Sequence, residues 1–225
     1  MTAEDLAVVG FTLRIAAFGT CLILPPGIAA ALLLARYRGA GKSVLETLLA
    51  LPLVLPPTAV GMLLLRALAR RGSVGRWLDA AGIEIVFTWK AVLLATMVMS
   101  FPLLVRSART AFEEIDPQLV GLARTLGAGP VAAFFRVTLP LAWRGVLAGA
   151  VLAFARALGE FGATIMIAGN IPGRTQTLAL AIFQASQTGH DDRAMALAGV
   201  TVALAFVTLW TAELVTRRRT RRSAA

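Results

Sequence analysis

DPQLVGLARTLGAGPVAAFFRVTLP, residues Asp116 to Pro140, is a polar-flanked segment between two very apolar regions. It reads as two short helices joined by an elbow. Asp116 is a side-chain cap for free N–H groups, Pro117 suits a first helical position, and Gly127 suits a left-handed C-terminal turn. These signals predict a helix from about Pro117 to Leu126. Leu119, Leu122, Ala123 and Leu126 then fall at i, i+3, i+4 and i+7, one apolar stripe that wants a partner, with Gln118, Arg124 and Thr125 away from it. Gly127, Ala128 and Gly129 turn the chain. Pro130 opens a second helix carrying Phe134 and Phe135, and Pro140 is expected to mark entry into the next apolar region.

The rest of the chain is too apolar for an ordinary soluble domain: 58% hydrophobic and 15% charged, with mean hydropathy +0.78. A bilayer is its expected solvent. The net charge of +10 does not imply nucleic acid, because the basic residues sort by side of a membrane rather than into one patch. The single Cys21, in an apolar stretch, has no partner for an intrachain disulfide and reads as a buried small residue. An acidic N-terminus followed by a long apolar run predicts a retained membrane span rather than a cleaved signal peptide.

Five spans are expected. The first covers residues 15–36, with 21 uncharged residues between Arg14 and Arg36, enough for the ~20 a spanning helix needs, and Pro25–Pro26 should bend it. Gly41, Lys42 and Ser43 look like the tail of a phosphate-binding loop, yet Arg36 stands where its first glycine belongs, so ATP chemistry has to come from another subunit. The second span, 47–65, contains Pro52, Pro56 and Pro57. Broken backbone at membrane depth is tolerated against protein or a water-filled cavity, so this span reads as pathway-lining, with a merely kinked packing helix as the alternative. The third is expected at about 85–105, after an extramembrane segment from Arg66 to Lys90.

The fourth span, 141–168, carries Gly145, Gly149, Ala153 and Ala157 at every fourth position, a small-residue ridge for close helix packing. Arg156 and Glu160 lie one turn apart, with Arg156 ~18 Å above Arg144 along the helix. Charges at that depth face protein or water: either a polar patch on an anion path or an ion pair fixing the packing. Gly159 and Gly162 beside them allow hinge motion or close contact. The stretch Thr175–His190 is too polar to span and reads as a surface or re-entrant helix. His190 lacks a second His or Cys, so it reads as a solvated loop residue rather than a metal ligand. Span five, 194–212, leads to a tail with Arg217, Arg218, Arg219, Arg221 and Arg222.

Counting that tail, thirteen basic residues fall on the side of the Asp116–Pro140 segment and seven on the other. The positive-inside rule therefore predicts a cytoplasmic C-terminus, an external N-terminus and a cytoplasmic hairpin, with the basic tail near anionic lipid.

GLARTLGA (Gly121 to Ala128), followed by FRVTLP (Phe135 to Pro140), resembles the EAA loop of ABC importer permeases. Gly127 and the terminal Leu139 and Pro140 match; Gly121 stands in place of the leading Glu and Leu122 in place of the first Ala. ARALGEFGATIMIAGNIPGRTQT (Ala155 to Thr177) resembles the permeases of molybdate importers, and the likeness covers essentially all 225 residues. The resemblance implies an all-α, type I ABC importer permease fold and a non-enzymatic subunit of a bacterial-type inner membrane. It also implies two copies around a path, two ATPase subunits at the hairpins and an external binding protein. ATP and Mg would be used by the ATPase, with no cofactor on this chain. Gly121, Leu122, Ala123, Arg124, Leu126, Gly127, Leu139 and Pro140 would form the coupling loop. Pro56, Pro57, Arg156, Gly159, Glu160 and Gly162 are candidates for the path or its gate.

Molybdate rests on the resemblance alone, with tungstate and then sulfate or thiosulfate as alternatives. A stand-alone secondary transporter is disfavoured because the five expected spans show no inverted repeat and one intramembrane charge pair. An intramembrane enzyme is disfavoured because no nucleophile has a base near it.

Overall fold

The computed structural model describes residues 2–37 and 39–217, with side chains as far as Glu213. Arg38 of the basic turn and Arg218, Arg219, Arg221 and Arg222 of the tail lie outside the described residues, as does the side chain of Arg217. Among the described residues the regular structure is all helix. In order these are α1 (Ala3–Arg36), α2 (Lys42–Val54), α3 (Pro57–Leu68), α4 (Gly75–Ala80), α5 (Trp89–Glu113), α6 (Pro117–Thr125), α7 (Pro130–Ala133), a π-helical turn (Phe134–Thr138), α8 (Leu139–Leu158), α9 (Gly162–Ala168), α10 (Leu178–Gln187) and α11 (Asp191–Arg217).

α1 begins well before the expected residue 15 and runs unbroken through Pro25 and Pro26. Its start is fixed by a capping box, in which the Thr2 hydroxyl accepts from the Asp5 amide and the Asp5 carboxylate accepts from the Thr2 amide. α1, α5 and α8 form the centre. Ala31, Leu34, Val105, Phe112, Ala142 and Val146 make one buried cluster, and Ile15, Val60, Val92, Met99, Ala163 and Ile167 another. The ridge of α8 meets α5: a Cβ on Gly149 would lie 3.0 Å from the Leu104 carbonyl, and the Ser107 hydroxyl donates to the Gly145 carbonyl at 2.8 Å. At the opposite end from the hairpin, Arg193 of α11 pairs with buried Asp5 at 2.7 Å, and the Leu178 amide donates to Thr12 Oγ1 at 2.9 Å. These contacts tie α10 and α11 back onto α1.

Several expected boundaries move. Span two is two helices, α2 and α3, bent by 107° where Leu55 and Pro56 interrupt the chain. Two consecutive prolines remove two N–H donors, and Pro57 is free to start a helix in a new direction. Span three starts at Trp89, not residue 85, because Ile85 to Thr88 form an irregular link in which the Phe87 amide donates to the Ile167 carbonyl at 3.1 Å. Span four is interrupted after Leu158 and resumes at Gly162.

The apolar region entered at Pro140 continues a helix already under way, which runs from Pro130 to Leu158. Pro140 has no N–H to give, so an α-helical ladder would fail there. The chain instead widens to a π-helical turn in which the Leu139 amide reaches the Phe134 carbonyl. Cys21 is exposed rather than buried, on an outward face of α1 with Phe18 and Leu22. Exposed apolar residues of this kind carry no water-transfer cost when the surrounding solvent is lipid. Among the described residues four helices are long and apolar enough to cross a membrane, and the bent α2–α3 pair is a fifth candidate. The protein is a multi-pass membrane protein.

Candidate coupling hairpin and helix breaks

The hairpin is built by local rules. Asp116 Oδ1 accepts from the Gln118 amide at 2.8 Å, Pro117 takes the first helical position, and α6 closes at Thr125. Gly127 has φ +88°, a left-handed conformation that costs side-chain-bearing residues ~1–2 kcal/mol. The amide of Ala128 returns to the Ala123 carbonyl at 3.0 Å, closing the turn. The apolar stripe is unpartnered: Leu122 is 61% and Leu126 81% exposed, with Leu119 also exposed. Ala123 is half-buried, while Gly121 and Arg124 are exposed. Leu139 and Pro140 begin α8. Phe134 sits 6.5 Å from Phe112 of α5 and 5.0 Å from Phe135, anchoring the base of the hairpin to the bundle. α7, the π-helical turn and α8 follow one another without a break.

The two helix breaks meet. A Cβ on Gly61 of α3 would lie 2.6 Å from the Ala163 carbonyl oxygen of α9, and one on Gly162 would lie 2.7 Å from Pro57 Cβ. Only glycine permits this approach. Pro56 caps α3 and Pro57 opens it, so the Pro56–Pro57 break and the Gly159–Phe161 break are drawn together. Gly159 has open space around it and no positive φ.

Glu160 is fully buried: Oε1 accepts from the Ala163 amide at 2.8 Å, and Oε2 lies 2.8 Å from Arg156 Nη1. The carboxylate therefore serves both helices, fixing the start of α9 and pairing the charge at the end of α8. Arg156, 28% exposed, is the part of the pair that reaches open space.

One constellation was not anticipated. Lys42, Glu46, Arg109 and Glu113 form a network between α2 and the end of α5. Arg109 Nη1 lies 2.9 Å from Glu46 Oε1, while Glu113 Oε1 lies 2.9 Å from Arg109 Nε and 3.1 Å from Lys42 Nζ. The available signal was two i, i+4 charge pairs of matching sense on neighbouring apolar helices. His190 Nδ1 lies 2.9 Å from Thr188 Oγ1, and among the described residues no group of three or more His, Cys, Asp or Glu could hold a metal ion.

A bundle of apolar helices with an exposed, apolar-faced hairpin rooted in its central helices is the arrangement of a multi-pass membrane protein with a surface free for a partner. The chain belongs to the family of binding-protein-dependent transport system inner membrane components, whose family profile matches residues 27–221. The molybdenum transport system permease protein ModB of Escherichia coli K12 is 45% identical over 219 residues, spanning 96% of each chain. The sulfate transport system permease protein CysT of the same organism is 36% identical, over 87% of this chain and 71% of the relative. Among solved structures, a bacterial ABC transporter involved in import of the acidic polysaccharide alginate superposes with a TM-score of 0.76 at 18% identity, covering 97% of this chain and 80% of that one. The fold is that of the type I ABC importer permeases.

Proposed function

We propose that this chain is the permease subunit of an ATP-driven importer for molybdate. The observation that carries the substrate is the 45% identity to a molybdenum transport permease across nearly the whole of both chains. In this reading the chain is not itself an enzyme and binds no cofactor; ATP and Mg act on the ATPase. Two copies enclose the path, an external binding protein delivers the oxyanion, and one ATPase subunit seats on each hairpin. The termini follow the charge distribution, with the N-terminus external and the C-terminus cytoplasmic.

Coupling falls to Gly121, Leu122, Ala123, Arg124, Leu126, Gly127, Leu139 and Pro140. The leucine face of α6 enters a complementary groove of the ATPase, and nucleotide binding draws the two hairpins together. Because α7, the π-turn and α8 are continuous, that motion reaches the break at Gly159, where Glu160 and Arg156 couple α8 to α9. Gly162 against Pro57 passes it on to α3. These broken segments, with Pro56 and Pro57, flank the path and set which side it opens to. An arginine whose charge is balanced by a carboxylate attracts a dianion weakly, so Arg156 and Glu160 act chiefly as positioning residues.

The relative named for sulfate transport supplies the second reading, a sulfate importer. Reconstituting the chain with its ATPase and binding protein in liposomes separates the two. Molybdate uptake should require ATP and all three components, and excess sulfate should leave most of it intact. Uptake by the chain alone would overturn the ATP-driven reading, and equal inhibition by sulfate would overturn the molybdate assignment.

A further inference from the structure

α2 contributes no buried residue, and past the turn that carries Lys42 and Glu46 the face it turns to α5 holds Leu49, Ala50 and Leu53. Between them, closed by Leu34 of α1, lies a cavity of about 330 Å³ with Leu49, Leu53 and Val105 on its walls. Its polar end carries the Glu46–Arg109 pair and Arg106. Within the network, Lys42 and Arg109 balance Glu46 and Glu113. Arg106 is exposed and, among the described residues, has no carboxylate within ion-pair distance, so the cavity rim keeps one uncompensated positive charge.

We propose that this groove holds an anionic phospholipid, its phosphate on Arg106 and an acyl chain along Leu49, Leu53 and Val105. A small hydrated oxyanion would gain nothing from leucine walls and would lose its own hydration, whereas a lipid satisfies both ends of the site. A bound chain also fills the space that separates α2 from α5, supplying the packing that α2 lacks. The groove opens at the hairpin end of α5. Only the leaflet rests on the orientation proposed above: a cytoplasmic hairpin puts the site in the leaflet that carries the negative surface potential.

The test is native mass spectrometry of the full-length chain, released from mixed micelles of dioleoyl-phosphatidylglycerol or dioleoyl-phosphatidylcholine. It reads lipid retention whatever the orientation or substrate. Phosphatidylglycerol should be retained about fivefold over phosphatidylcholine, the ratio expected for one interfacial arginine. Arg106→Gln should bring that ratio to about one, Arg106→Lys should keep most of it, and Leu53→Trp, which fills the wall, should lower retention of both lipids. An unchanged ratio in Arg106→Gln overturns the proposal, as does displacement of the lipid by inorganic phosphate alone. Should Arg106→Gln fail to fold, undiminished phosphatidylglycerol retention in Leu53→Trp overturns it equally.

Discussion

Gly127 is the residue at which the backbone does something a side chain would resist. Its φ is +88° and, its own chain neighbours aside, no atom stands within 4 Å of where a Cβ would lie, so substitutions there test conformation without steric confusion. Gly127→Val should strain the elbow by about 1–2 kcal/mol, leave membrane insertion intact and leave ATP hydrolysis running without uptake, while Gly127→Asn, tolerant of the left-handed region, should transport nearly normally. Equal transport by Val and Asn variants would contradict a conformational role. Glu160 makes a different prediction. Glu160→Ala strands Arg156 and uncaps α9, which should cost on the order of 3 kcal/mol, seen as a lower melting temperature of the purified protein. Removing both charges, in Glu160→Gln with Arg156→Gln, should recover part of that loss; a double variant no more stable than Glu160→Ala would argue against a packing pair.

At the scale of elements, the breaks matter more than the helices. α3 and α9 touch through Gly61 and Gly162, so Gly61→Val must push a branched side chain into the Ala163 backbone at 2.6 Å. Overpacking of this kind should destabilise by about 1–3 kcal/mol and reduce uptake, whereas Gly159→Ala, with open space around it, should be nearly silent. Comparison of the two variants in one melting and uptake assay checks the point.

The same elements show what a linear reading can reach. Asp116, Pro117 and Gly127 act on their own neighbours, so the hairpin was legible residue by residue, as was the ridge from Gly145 to Ala157. The exposure of Cys21 and the helical continuity through Pro140 were not, because one depends on which face of α1 meets α5 and the other on a helix changing its hydrogen-bond register. The glycine prepared for contact in α9 was visible, but its partner Pro57, roughly a hundred residues earlier in the chain, was set by the fold.

For the whole molecule, the network of Lys42, Glu46, Arg109 and Glu113 fastens the loosely packed α2 to the helix that leads into the hairpin. Its side chains are partly solvated, so each contact contributes about 0.5–1 kcal/mol and weakens with salt. Arg109→Gln should raise amide hydrogen exchange along α2 while leaving α5 and α8 protected; uniform exchange across the bundle would mean that the network holds more than α2. Above this lies the proposed arrangement, in which the exposed leucine face of α6, outside the apolar bundle, would receive work from a separate ATPase. The most direct measurement places a cysteine at Leu126, 81% exposed, in a chain whose Cys21 has been changed to Ser, and probes it with a membrane-impermeant maleimide. Labelling should occur in inside-out vesicles only and be blocked when the ATPase subunit is bound. Labelling from the outer face, or labelling indifferent to the ATPase, would contradict it.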